Sequence, residues 1–253
     1  MKNLLLGVII STSVGFAQQA QRKLVWEENF NGKTLNEKVW NFEYGDGCPN
    51  NCGWGNNEKQ LYTDKNHILK DGNLIININK EGDKYTSTRI TTAGKKEFQY
   101  GRMEARAKLP IGKGIWPAFW MLGSNISKVG WPKSGEIDIL EYVGREPHQV
   151  YTTLHTQDSH GNSVNSKKTE IKNIEEGFHV YAVEWTKDKM EFFVDERLVY
   201  TFNPEVKNED VWPFNQPFFF IINTAVGGNF GGHDVDNTIF PQQFVIDYVK
   251  VYQ

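Results

Sequence analysis

The sequence of 253 residues has only two cysteines, no excess of basic residues and, beyond its first 17 residues, no long hydrophobic run. Two cysteines cannot by themselves complete a zinc site. The 28 basic and 31 acidic residues give a net charge of −3, which argues against a nucleic-acid partner. No later run approaches the roughly 18 apolar residues of a membrane span, so no membrane partner is expected. Convincing helical periodicity is nearly absent as well.

The N-terminal segment has the layout of a secretory signal peptide. Lys2 precedes an apolar run that begins at Leu4, and the small residues Gly15 and Ala17 end it. The run is too short to span a membrane. We therefore expect residues 1–17 to be removed on export, residues 18–253 to form one domain, and the mature protein to be secreted or periplasmic.

The two cysteines, Cys48 and Cys52, lie in the turn-rich segment 47–53. In an exported protein, two cysteines this close favour a disulfide over a metal site. The loop that such a bridge closes is short, so it would stiffen the segment more than it would stabilise the fold.

The remainder of the chain has the pattern of an all-β protein. Apolar and polar residues alternate in segments such as 72–79 and 100–109, and the connections carry Gly, Asn and Asp. More than ten such strands predict an antiparallel β-sandwich. A single domain of this length is common for such folds.

The stretch 134–142 is the most informative, because Glu136, Asp138 and Glu141 alternate there with apolar residues. Strict strand alternation would place Glu141 on the opposite face from the other two acids. One extra residue at 139–140, a β-bulge, would bring all three onto one face. Acidic residues on strands often only form a solvated face or protect an edge. Three acids on one face, flanked by tryptophans, favour a catalytic site instead.

The segment 135–141 resembles the E-x-D-x-x-E signature of the bacterial laminarinase-like β-glucanases of glycoside hydrolase family 16. The likeness continues, in the order of the family, through residues 55–63, 100–106, 114–123, 153–155, 178–185, 223–229 and 247–252. The resemblance implies a concanavalin A-like β-jelly roll whose concave sheet holds a β-glucan polysaccharide or oligosaccharide. We expect the chain to be a monomer.

The resemblance also implies roles for the three acids. Glu136 is the expected nucleophile, Glu141 the general acid/base, and Asp138 the residue that orients and tunes them, with no cofactor for catalysis. Three carboxyls a few ångströms apart cannot all ionise cheaply, so one should keep a proton near neutral pH. We expect that proton on Glu141 and an ionised Glu136.

Aromatic and polar residues supply candidate sugar contacts. Trp116 and Trp120 should project from one face of a strand, where their rings can stack on sugars; burial in the core is the alternative. The resemblance implies further cleft residues at Asn56, Arg89, Trp131, His155 and Asn223. A plain surface charge is the alternative for Arg89, and a structural role is the alternative for His155.

The resemblance further implies a structural cation between the first and last strands. The matching positions are Glu28, the carbonyl of Gly72, and Asp247. Oxygen ligands of this kind suit calcium.

The sequence thus predicts a secreted, endo-acting, retaining β-1,3-glucanase that hydrolyses laminarin-type glucans. A mixed-linkage β-1,3-1,4-glucanase is the nearest alternative, but dedicated lichenases of the family usually have the unbulged E-x-D-x-E. A non-catalytic, lectin-like glucan-binding domain is the alternative from a different class, because a fold alone does not fix a function. The presence of both glutamates argues against it.

Overall fold

The computed structural model describes residues 22–253, so the signal peptide expected at 1–17 lies outside the described residues. Within them the chain is built almost entirely from short strands. In chain order these are Leu24–Glu28 (β1), Asn41–Glu43 (β2), Gln60–Tyr62 (β3), His67–Lys70 (β4), Asn73–Glu81 (β5), Lys84–Ser87 (β6), Arg89–Thr91 (β7), Glu97–Phe98 (β8), Gly101–Lys108 (β9), Ile115–Gly123 (β10), Glu136–Glu141 (β11), Gln149–His155 (β12), Ser166–Glu170 (β13), His179–Trp185 (β14), Met190–Val194 (β15), Arg197–Phe202 (β16), Phe218–Val226 (β17) and Gln242–Tyr252 (β18).

Helical structure in the described chain is limited to single turns. Two are α-helical, Ile126–Val129 (α1) and Gly228–Gly231 (α2), and two are 3-10 turns, Cys52–Gly55 and Asn237–Ile239. None of the helices in residues 22–253 has the length and apolar character needed to cross a bilayer.

The strands form two sheets. The order in one sheet is β16-β15-β14-β9-β18-β5-β6-β3, with β1 beside β18 and β4 beside β5. The order in the other is β13-β12-β11-β10-β17-β7-β2, with β8 beside β17. Every pairing is antiparallel except β3 with β6. The predicted antiparallel sandwich is confirmed.

Side-chain alternation builds the core between the sheets. In β5, Leu74, Ile76 and Ile78 are fully buried, and they belong to one hydrophobic cluster with Phe119 of β10 and Phe220 of β17. Each large apolar side chain buried in this way contributes roughly 1.5–3 kcal/mol. The opposite face of the second sheet is therefore free to carry polar and aromatic side chains.

Candidate active site

The predicted bulge is present in β11. Trp120 of β10 pairs with Asp138, whereas its neighbour Phe119 pairs with Leu140, so Ile139 is an extra residue. The pairing of β11 with β12 shifts at the same place. Because of this shift, all three acidic side chains of β11 line one cleft.

The cleft is an open groove of about 900 Å³ over the second sheet. The structure brings together there all ten residues predicted for catalysis and sugar binding, namely Asn56, Arg89, Trp116, Trp120, Trp131, Glu136, Asp138, Glu141, His155 and Asn223. Trp116 and Trp120 are half-buried residues of β10 that line the cleft. Burial in the core, the alternative considered for them, is therefore wrong.

Different groups lie beside the two carboxylate oxygens of Glu136. The indole Nε1 of Trp131 donates a hydrogen bond of 2.8 Å to Oε2. On the other side, Nε2 of His155 lies 3.8 Å from Oε1 of Glu136 and 3.4 Å from Oδ2 of Asp138. This places His155, which pairs with Glu136 across β11 and β12, among the reacting groups.

Glu141 receives two hydrogen bonds. Trp116 Nε1 donates to Oε1 at 3.1 Å, and Thr153 Oγ1 donates to Oε2 at 3.4 Å. Glu136 and Glu141 are therefore each oriented by an indole N–H from the cleft. Thr153 was not predicted as a site residue on its own, although it begins the matched segment 153–155.

All three carboxyls keep their protons to unusually high pH. Burial, followed by the charge of Asp138, raises the pKa of Glu136 to about 8. Burial also raises the pKa of Glu141 to about 7, and burial together with the charge of Glu141 raises the pKa of Asp138 well above its usual range. The expected retention of a proton is therefore supported, but burial contributes more to it than like-charge repulsion does.

Both glutamates, not Glu141 alone, have a raised pKa in the free site. The charge of Asp138 raises the pKa of Glu136 further, whereas the hydrogen bond from Trp131 lowers it. Glu141 has two hydrogen-bond donors, and both favour its charged form.

Replacing Trp116 with Phe should move the basic limb of the kcat/KM profile to higher pH, by up to about one unit. The indole N–H stabilises the charged form of Glu141, so its loss raises the pKa of that carboxyl. A general acid must be protonated, so activity would then persist to higher pH. Rates on a soluble glucan across pH 5–9 measure the shift. Thr153→Ala removes the other hydrogen-bond donor to Glu141 without removing an aromatic ring, and it should also move the basic limb to higher pH. A basic limb that moves to lower pH in either variant would contradict this explanation.

Arg89 is a buried residue of the cleft, so the surface-charge alternative is wrong. It is 8% exposed and forms an ion pair with Glu43, its partner across β7 and β2. Its guanidinium lies over the rings of Trp54 and Trp120, 4.5 and 4.9 Å from their centroids. Such contacts favour the charged guanidinium and fix the two rings.

The side chain of Asn223 forms hydrogen bonds with neighbouring side chains of the cleft. Its Oδ1 accepts a hydrogen bond of 2.7 Å from Trp120 Nε1, and its Nδ2 contacts the hydroxyl of Tyr62 at 2.9 Å. Tyr62 in turn donates to Glu58, which also accepts a hydrogen bond from Asn56. This network orients Trp120.

Sequence reasoning did not single out Trp54, Glu58 or Tyr62. Burial raises the pKa of Glu58 even though Arg89 lies nearby. Glu58 and Tyr62 lie in the matched segment 55–63, so the sequence did contain a signal for them. Their contacts with Arg89 of β7 and Asn223 of β17, however, form only in the folded structure.

The predicted disulfide is confirmed. Cys48 and Cys52 are joined by an S–S bond of 2.03 Å. Asn51 and Trp54, from the same segment, line the cleft. The bridge therefore constrains a loop that borders the site.

The positions implied for calcium converge at one end of β1. A Cβ on Gly72 would lie 3.0 Å from Oδ1 of Asn31, and Glu28 pairs with Val249, two residues from Asp247. This arrangement places the Gly72 turn near both strands that were expected to hold the cation.

The side chains at these positions already have partners. The Glu28 carboxylate accepts hydrogen bonds from the backbone N–H of Phe30 at 3.0 Å and from Trp40 Nε1 at 3.3 Å. Asp247 Oδ2 lies 2.5 Å from a guanidinium nitrogen of Arg106. Both oxygens of Glu28 are therefore occupied, whereas Oδ1 of Asp247 lies outside the ion pair with Arg106 and is left, with the carbonyl of Gly72, for a cation.

Comparison with known proteins agrees with this geometry. Residues 54–250 match the model of glycosyl hydrolases family 16. The chain is 39% identical to a β-glucanase of Rhodothermus marinus, covering 98% of this chain and 93% of that protein, and 40% identical to a glucan endo-1,3-β-glucosidase of Cryptopygus antarcticus, covering 90% of each. The crystal structure of the laminarinase from Flavobacterium sp. UMI-01 shares 71% identity, with a TM-score of 0.90 over 91% of this chain and all of that one. The chain therefore belongs to glycosyl hydrolases family 16, and it is a glycoside hydrolase with the jelly-roll fold of that family.

Proposed function

We propose that this glycoside hydrolase is a secreted, endo-acting β-1,3-glucanase that cleaves laminarin-type glucans with retention of configuration. The observation that carries the proposal is the placement of Glu136 and Glu141. The two carboxyls lie on one face of one strand, each oriented by a tryptophan N–H, in an open cleft. The names of the similar proteins, laminarinase and glucan endo-1,3-β-glucosidase, support the substrate class.

In the first chemical step, an ionised Glu136 attacks the anomeric carbon while Glu141 donates its proton to the leaving oxygen. The bond to the leaving sugar breaks as a covalent glycosyl-enzyme forms. Asp138, which lies beside Glu136, holds a proton because its pKa is raised, and this proton can stabilise the charged nucleophile.

In the second step, Glu141 removes a proton from water, and the water attacks from the face that the leaving group vacated. The bond to Glu136 then breaks, and Glu136 leaves as a carboxylate. Two inversions at the same carbon give net retention.

The shape of the cleft supports internal cleavage. Trp116 and Trp120 follow one another along β10, and Trp131, which is 47% exposed, lines the same cleft and contacts Glu136. Aromatic faces can stack on successive sugar rings without requiring a chain end.

Proton NMR of the first minutes of laminarin digestion, together with product chromatography, tests the proposal. We expect the β-anomer first, a ladder of oligosaccharides, slower cleavage of lichenan and no cleavage of cellulose. The α-anomer appearing first would contradict the mechanism, and glucose alone from the outset would contradict the endo mode. Lichenan cleaved faster than laminarin would favour a mixed-linkage glucanase, and binding without any product would favour the lectin-like alternative.

We also propose that residues 1–17 direct export. The support is the sequence pattern of this segment. N-terminal sequencing of protein recovered from the periplasm or medium of an expressing bacterium should begin after Ala17; retention of the full chain in the cytoplasm would contradict it.

We propose a structural calcium held by Asp247 and the carbonyl of Gly72. The support is their convergence near β1 and their oxygen chemistry. A ligand that binds only the folded state raises its stability by mass action, so EDTA should lower the melting temperature and added calcium should restore it. Asp247→Asn should abolish this response. A melting temperature of the wild-type protein that neither EDTA nor calcium changes would contradict a bound structural calcium.

A further inference from the structure

We infer that Glu136, Asp138 and His155 also form a binding site for a divalent transition metal ion such as Zn²⁺, and that the ion blocks the cleft reversibly. One donor atom from each residue lies within 4.8 Å of the other two. The site shares residues with the catalytic centre, but its ligand chemistry is separate from the hydrolysis of a sugar.

Two of the three separations between the donor atoms are close to those around a tetrahedral metal ion. Zinc bonds to histidine nitrogen and carboxylate oxygen are about 2.0–2.2 Å long, so ligand atoms in a tetrahedral site lie about 3.3–3.6 Å apart. Asp138 Oδ2 and His155 Nε2 are 3.4 Å apart, and Glu136 Oε1 and His155 Nε2 are 3.8 Å apart. The third pair of atoms, from Glu136 and Asp138, lies within 4.8 Å, so those two side chains must move closer together for all three to bind one ion.

One of these atoms lacks a hydrogen-bond partner. Asp138 is 3% exposed, and its Oδ2 accepts no hydrogen bond within residues 22–253. A bound cation would displace the proton that Asp138 holds in the free site and would supply the partner that this oxygen lacks. Trp131 occupies Oε2 of Glu136, which leaves Oε1 facing His155.

The donor types select the kind of metal. One imidazole and two carboxylates suit zinc and its neighbours in the first transition series, whereas calcium and magnesium prefer oxygen ligands alone. Three protein ligands leave a fourth position open towards the cleft, as in catalytic zinc sites.

The binding should be reversible. A histidine that ligates zinc usually donates its second N–H to a carboxylate or carbonyl, and loss of that partner weakens metal binding by about 10–100-fold. Nδ1 of His155 has no such partner in the described part of the chain. The site should therefore bind zinc more weakly than a structural site does, and EDTA should remove the metal.

The consequence for catalysis follows from the shared oxygen. A metal ion bound to Oε1 of Glu136 neutralises the carboxylate that attacks the anomeric carbon and occupies the cleft beside it, so metal and glucan exclude each other. This consequence rests on the proposed function, whereas the binding itself does not. Zinc should therefore raise the apparent KM for laminarin, and EDTA should restore the rate.

Isothermal titration calorimetry of the whole mature protein with zinc chloride, without any glucan, tests the site directly. We expect one ion per chain and binding at least about tenfold weaker in His155→Gln. His148→Gln is the matched control, because His148 also lies beside a carboxylate, Glu175 at 2.9 Å, but is exposed and lies outside the cleft lining. Its affinity should equal that of the wild type.

Cobalt provides a second readout. The visible absorption bands of a four-coordinate Co²⁺ site should appear in the wild type and in His148→Gln and be absent from Asp138→Asn, with melting curves confirming that each variant folds. Zinc affinity unchanged in His155→Gln, affinity lost in His148→Gln, or no binding at millimolar zinc would overturn the site. Binding without any effect on hydrolysis would refute the inhibition alone, and binding by a protein inactive on laminarin would count against the proposed function alone.

Discussion

Glu136→Gln should lower kcat on laminarin by about 10⁴-fold or more, the scale on which loss of a nucleophile acts. The amide keeps the size of the side chain and can still contact Trp131, but it has no ionised oxygen to attack the anomeric carbon. Initial rates of reducing-end formation measure the loss. Glu191→Gln, a change on the other sheet where Glu191 pairs with Lys189, is the control and should keep wild-type activity.

Azide distinguishes the role of Glu136 from a general loss of function. In Glu136→Ala, azide can occupy the space of the missing carboxylate and attack an activated β-glucoside from that face, with inversion. The product should be an α-glycosyl azide. A β-glycosyl azide, or substantial activity without azide, would remove Glu136 from the nucleophile position.

Glu141→Ala should lose about 10²–10⁴-fold in rate on laminarin, because both leaving-group protonation and water activation are removed. Aryl glucosides with acidic leaving groups need little protonation, so formation of the glycosyl-enzyme from them should be largely preserved. Their turnover should then be limited by the second step and show a burst of the released phenol.

Azide also tests the second chemical step, the hydrolysis of the glycosyl-enzyme. Azide needs no general base, so it should restore turnover of Glu141→Ala and attack from the face normally taken by water. The product should be a β-glycosyl azide, opposite in configuration to that of Glu136→Ala. The same anomer from both variants would show that the two glutamates do not have separate roles.

The sequence predicted the catalytic strand well because its signal is local. Glu136, Asp138 and Glu141 alternate with apolar residues in a way that puts all three on one face only if the strand has a bulge. The structure has that bulge at Ile139. The tryptophans of β10 could be placed for the same reason, since period-two alternation fixes the face of a strand residue.

The features that the sequence did not predict depend on strands distant along the chain. Arg89 is buried because Glu43 from β2 pairs with it and because Trp54 and Trp120 cover it. The raised pKa values of the two glutamates likewise depend on how deeply the fold buries each carboxyl and on which groups it places beside it. Such contacts require the strand order of the sheet, which hydrophobic alternation does not specify.

The buried carboxyls also impose a thermodynamic cost on the whole protein. Their folded pKa values, about 8 for Glu136 and about 7 for Glu141, exceed the value of 4.5 for a solvated glutamate. Below pH 4.5 both states are protonated and nothing is lost, but as the pH rises towards 8 the unfolded chain ionises freely while the folded chain resists. The folded protein should thus lose conformational stability as the pH rises from 4.5 to about 8. Glu136→Gln removes one of these ionisations, so the inactive variant should melt at a higher temperature than the active enzyme at pH 8 and at nearly the same temperature at pH 4.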